Sequence, residues 1–193
     1  MENINQIRKI SIWIFIITLV SLNLCLFISV NGHLLQGTIF QVDPMGRSSF
    51  TIPYIDGNVS ISRTARTYPA YLIFKPGMLI TAILLIKYWR ANNKLIQTIN
   101  NDFSKNKYFL FFGVGSAVFL AVHALLLGIK FDVDLYKFFR RFILLSFIIF
   151  EIAAQAMLIK NLIRIKDKIA ETINKKILIL KTFVVAVLII VGI

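Results

Sequence analysis

An all-α, polytopic bundle of membrane-spanning helices is the fold class this sequence predicts. Three observations carry it: 58% of the 193 residues are apolar, the mean hydropathy is +0.76, and the apolar residues gather into runs of about 17–21 separated by basic or turn-rich connections. A chain this apolar cannot fold as an ordinary water-soluble domain. Charged residues make up only 16%, yet Lys and Arg outnumber Asp and Glu by 22 to 9, for a formal charge of +13. In a membrane protein that surplus first sets topology, because cytoplasmic loops retain Lys and Arg. Nucleic acid, which the same charge would suit, needs a soluble basic surface and is not expected as a partner.

The first run, 10–30, follows Arg8 and Lys9. It is too long for the apolar core of a signal peptide, about 7–15 residues, and has the length of a span. A polar outer loop, 31–70, follows, and then the apolar runs 71–89, 108–128 and 142–159. The last run, 177–193, is still apolar at its end and reaches about 26 Å as helix, barely a crossing. The expectation is therefore one transmembrane domain of five spans, with a sixth helix suspected to be missing.

Basic residues are distributed unequally between the two sides. One side receives Arg8 and Lys9, five over 87–107, and seven over 160–181; the other receives the remaining eight of the 22. The positive-inside rule then places the N-terminus in the cytoplasm and loop 31–70 outside, with the plasma (inner) membrane as the expected location. In 160–176, Leu162, Ile165, Ile169 and Ile173 recur at helical spacing, with basic residues mostly elsewhere around the helix. Such a segment either lies on an anionic leaflet or extends span four. Leu95, Ile96, Ile99 and Phe103 repeat the pattern more weakly.

Chemistry-bearing residues fall into two groups. The outer loop carries the turn signal Asp56-Gly57-Asn58 and then Ser60, Ser62, Arg63, Thr64 and Arg66, with Tyr54 just before the turn. Arginine forks and hydroxyls together match a phosphate or carboxylate, so this stretch reads as a lipid-headgroup site. The plain alternative is a loop whose arginines touch headgroups without selectivity. Inside the apolar runs stand Glu151, Gln155 one turn further on, His123 and Asn23. An ionised carboxylate near mid-membrane costs at least about 2.5–3.5 kcal/mol, so Glu151 must face the bundle and be paired or protonated. It reads either as an interhelical hydrogen bond or as a proton or substrate site. His123 and Asn23 both lie toward the outer ends of their runs and could meet.

Gly113, Ala117 and Ala121 form a small-residue face for close helix approach. Pro76-Gly77 permits a kink or late start in span two. Cys25 is single, and His33 and His123 lack ligand-spaced neighbours, so neither a metal site nor a cofactor is expected.

Pro53-Tyr54-Ile55-Asp56, Pro69, the helix start Leu72-Ile73-Phe74 and Tyr88 resemble the DRAM-like family of multi-pass membrane proteins, the damage-regulated autophagy modulators and their relatives, which include a GPI-anchor remodelling factor. The resemblance covers roughly a fifth of the chain. It departs at Ala70, where the family carries an acidic residue, and at Gly128-Ile129-Lys130-Phe131, where the family carries Asn-Phe-Gln. It implies a six-helix fold with an outer-loop motif close to lipid headgroups, and no particular reaction. The function expected is non-enzymatic binding of anionic headgroups or regulation of membrane lipid. An outer-leaflet lipid-modifying enzyme with Asp56 or His33 as base is one alternative, and a small transporter using Glu151, His123 and Gln155 is another. A membrane-protein partner or a second copy of the chain is a further expected contact.

Overall fold

In the computed structural model, the residues described are 2–41, 55, 64–99, 108–129, 134–165 and 175–192. They form five α-helices and no strand: α1 (Glu2–Val30), α2 (Tyr71–Ile99), α3 (Tyr108–Leu126), α4 (Asp134–Arg164) and α5 (Lys175–Gly192), with a 3-10 turn at Gly32–Leu35. Among the described residues, α1 to α4 are long and apolar enough to cross a membrane. α5 occupies the place expected for span five, but Lys175, Lys176 and Lys181 interrupt its 18 residues. The protein is a helical membrane bundle.

Three helices run past the apolar stretches that announced them. α1 begins eight residues before position 10, α2 continues ten beyond position 89, and α4 adds residues at both ends. Packing explains the additions on α2 and α4, for Leu95, Ile96, Leu162 and Ile165 are all buried. The amphipathic pattern after position 160 therefore extends α4, at least through Arg164; its remainder lies outside the described residues.

Each helix packs chiefly on its neighbours in sequence, α1 on α2, α2 on α3, α3 on α4 and α4 on α5. From α1 to α4 each helix is antiparallel to the next, as paired contacts show: Cys25 with Ala70 and Thr18 with Thr81, Trp89 with Phe109 and Tyr71 with Gly128, Tyr136 with Leu126 and Glu151 with Ser116. One end of the bundle, the loop end, gathers the close of α1, the start of α2, the close of α3 and the start of α4. The opposite end, the basic end, gathers the start of α1, the close of α2, the start of α3 and the close of α4. α2 is the most enclosed of the four long helices, and its Trp89 is completely buried. The indole lies edge-on to Tyr88 and Phe109, with ring centroids at 5.2 and 6.5 Å. It rests on Gly113 of α3, where a Cβ would fall inside the ring. The small-residue face of α3 thus receives α2: Ala117 and Ala124 are fully buried there, and Ala121 packs against the core.

The outward faces of α1 and α5 present Trp13, Phe15, Phe27, Phe183 and Ile190, an apolar surface that lipid, not water, would cover. Pro76 does not delay the start of α2, which begins five residues earlier and runs through it. Gly77 beside it lets α1 approach: a Cβ would strike the Ser21 side chain.

Candidate functional site

The loop end is built from the close of the outer loop. Thr64, Ala65 and Ala70 are almost completely buried, and Arg66 is half-buried between them. The Thr67 N–H donates to Thr64 O at 3.1 Å and the Tyr71 N–H to Thr67 O at 3.1 Å, so the segment coils directly into α2. Cys25 of α1, also buried, donates its thiol to Ala70 O at 3.3 Å. The Tyr68 hydroxyl donates to Ile39 O at 2.7 Å and ties the end of the loop to its beginning. Gly128, at φ +84°, closes α3 in the left-handed conformation common at helix C-termini. A Cβ there would lie 3.5 Å from Arg66 O. The Tyr136 hydroxyl of α4 donates to Leu126 O at 2.6 Å, satisfying a carbonyl left over at the end of α3. Arg66 is therefore held at the mouth of the bundle, beside the end of α3.

Of the headgroup residues expected from sequence, the described residues include Thr64, which is buried, and Arg66, which is half-buried beside the end of α3. Tyr54, Asp56, Ser60, Ser62 and Arg63 lie outside the described residues. His33 is exposed on the 3-10 turn. His123 stands toward this end of α3. Its Nδ1 is buried with no hydrogen-bond partner among the described residues.

The second cluster lies midway along α3 and α4. Gln155 Nε2 donates to Glu151 Oε1 at 2.9 Å, in keeping with the one-turn spacing read from sequence. The partner on the other helix is Ser116, fully buried, with Oγ 2.7 Å from Glu151 Oε2 and 2.8 Å from the Gly113 carbonyl of its own helix. One hydroxyl proton cannot serve two acceptors fully, and a carbonyl has none to give. Ser116 Oγ is thus the donor shared between the Gly113 carbonyl and Glu151 Oε2. Phe150 packs alongside against Phe112 and Phe119, at 5.2 and 5.1 Å between centroids, over Gly115.

Glu151 accordingly faces α3, and its hydrogen bonds join two helices. Ser116 is the residue that sequence reasoning misses: a partner at matching depth is sought among charged side chains, and a lone hydroxyl in an apolar run gives little signal. Asn23 does not join His123. It lies on the exposed face of α1, where its amide donates to Leu19 O at 2.8 Å, and α1 packs on α2. The outer depth shared by the two residues predicts their meeting, but depth does not fix which way around a helix a side chain points.

No group of three or more His, Cys, Asp or Glu side chains gathers at metal-binding distance among the described residues. The fold and the two polar clusters define the class: a multi-span helical membrane protein with a hydrogen-bonded polar layer and an ordered loop-end mouth. No protein-family model, curated protein or solved structure matches the chain.

Proposed function

We propose that this protein is a non-enzymatic membrane protein that engages anionic lipid headgroups at the loop end of its bundle, in the manner of the DRAM-like proteins whose outer-loop motif it resembles. One observation supports this reading above others. The close of the outer loop is packed into the bundle mouth, and so Arg66 is presented from a fixed, half-buried backbone beside the helix ends. A guanidinium held in this way gives up less conformational freedom on binding a phosphate or carboxylate than one on a free loop. The positive-inside distribution of basic residues supports the outer leaflet of the plasma (inner) membrane as the leaflet this mouth meets.

Glu151 belongs to helix packing in this reading. Its oxygens are bonded to Ser116 and Gln155, an arrangement suited to holding α3 against α4.

The test is to incubate the purified protein with labelled phospholipids and follow retention and conversion together. Wild type is expected to retain anionic phospholipid without forming product. Arg66→Ala is expected to reduce retention about tenfold, the worth of one charge-assisted hydrogen bond. Labelled product from wild type would replace this reading with the lipid-modifying enzyme.

A further inference from the structure

At the basic end, a cavity of about 140 Å³ opens between the start of α3 and the close of α4, lined by Tyr108, Phe109, Met157, Lys160, Asn161 and Arg164. The polar features of its wall favour an anion. Tyr108 and Phe109 are the first residues of α3, and the leading N–H groups of a helix have no partner within it and carry the positive end of its dipole. Lys160 and Arg164 are one helical turn apart on α4, so their side chains share a face. No carboxylate lines the cavity among the described residues.

Asn161 shows that these features form a site. It is only 6% exposed and lines the cavity. No hydrogen bond of its side-chain amide is found among the described residues, and the amide is not sealed off from the cavity it lines. Asn92, buried to a similar degree on α2, donates to Tyr88 O at 2.8 Å and shows the usual arrangement.

We propose that this cavity binds the phosphate group of an acidic membrane lipid. A phosphate accepts hydrogen bonds from several directions at once, matching an amide, an ammonium, a guanidinium and a helix start that converge from two helices. The depth is also right, since Lys160 directly follows the apolar stretch ending at Ile159, where headgroups begin. The site is at the opposite end of the bundle from Arg66 and does not depend on the loop-end reading.

Native mass spectrometry of the full chain in detergent tests the proposal, with phosphatidic acid, phosphatidylcholine and inorganic phosphate as separate probes. Wild type is expected to bind phosphatidic acid at least about tenfold more tightly than phosphatidylcholine. Asn161→Leu is expected to weaken the phosphatidic acid complex by about tenfold, and the exposed substitution Lys160→Gln by about threefold. Lys160→Gln leaves the buried packing intact and decides the matter if Asn161→Leu does not fold. Equal binding of the two lipids, or wild-type affinity in a folded Asn161→Leu or in Lys160→Gln, would overturn the proposal. Binding of inorganic phosphate without phosphatidic acid would overturn it too, by assigning the cavity to a soluble anion.

Discussion

Between α1 and α2 the polar contact is hydroxyl against hydroxyl; between α3 and α4 it is hydroxyl against carboxyl. In the first seam Thr18 Oγ1 and Thr81 Oγ1 are 3.2 Å apart, and Thr81 donates its own proton to Gly77 O at 2.9 Å. Thr18 is thus left as the donor between the helices. Ser116 has the comparable place in the second seam, its hydroxyl donating to Gly113 O at 2.8 Å and to Glu151 Oε2 of the neighbouring helix at 2.7 Å. Both seams also rest on glycine, Gly77 receiving Ser21 and Gly115 receiving Phe150. The difference is that the second seam stakes a carboxyl on the bond. A side chain that must carry charge at that depth is costly.

The largest expected effect comes from putting a permanent charge into that seam. Glu151→Lys should cost at least about 2.5–3.5 kcal/mol, read as loss of the folded bundle on thermal unfolding in detergent. Steric disruption comes next. Gly113→Ala drives a methyl into the Trp89 ring and is expected to lower stability by about 1–3 kcal/mol, whereas Ala117→Gly on the same face should cost less. Removing one hydroxyl is milder: Ser116→Ala and Thr18→Val should each cost about 0.6 kcal/mol and no more than about 1.7, the range for interhelical hydrogen bonds in membranes. Smallest of all is Glu151→Gln, since an amide can donate to Ser116 Oγ and accept from Gln155, keeping both contacts of the carboxyl. A change below about 0.6 kcal/mol is expected. A large loss in Glu151→Gln would mean that the two seams differ more deeply than their geometry suggests.

The helices are legible in the sequence because hydropathy reports lipid-facing and buried residues alike, and both are apolar over a span. Their true ends are not, because Leu95, Ile96 and Leu162 are buried by tertiary packing beyond the apolar runs. The small-residue face of α3 and the inward turn of Glu151 can be read from residue type and spacing. The Ser116 partnership cannot, since it depends on the relative rotation of two helices. For the same reason Asn23 and His123, alike in depth, do not meet. The cavity at Asn161 is hidden as well, because its walls come from residues about fifty positions apart. Sequence marks Lys160 and Arg164 only as part of a basic segment.

The polar residues divide by role. In the proposed reading, those of the mid-bundle layer hold helices together, and those of the loop end meet headgroups. The most direct measurement compares Ser116→Ala with Arg66→Ala in two assays run on the same preparations, thermal midpoint in detergent and retention of labelled anionic phospholipid. Ser116→Ala is expected to lower the midpoint and keep retention, while Arg66→Ala is expected to lose retention about tenfold and keep the midpoint. Loss of retention in a folded Ser116→Ala protein, with Arg66→Ala retaining lipid like wild type, would contradict this division and move the working site to the polar layer around Glu151.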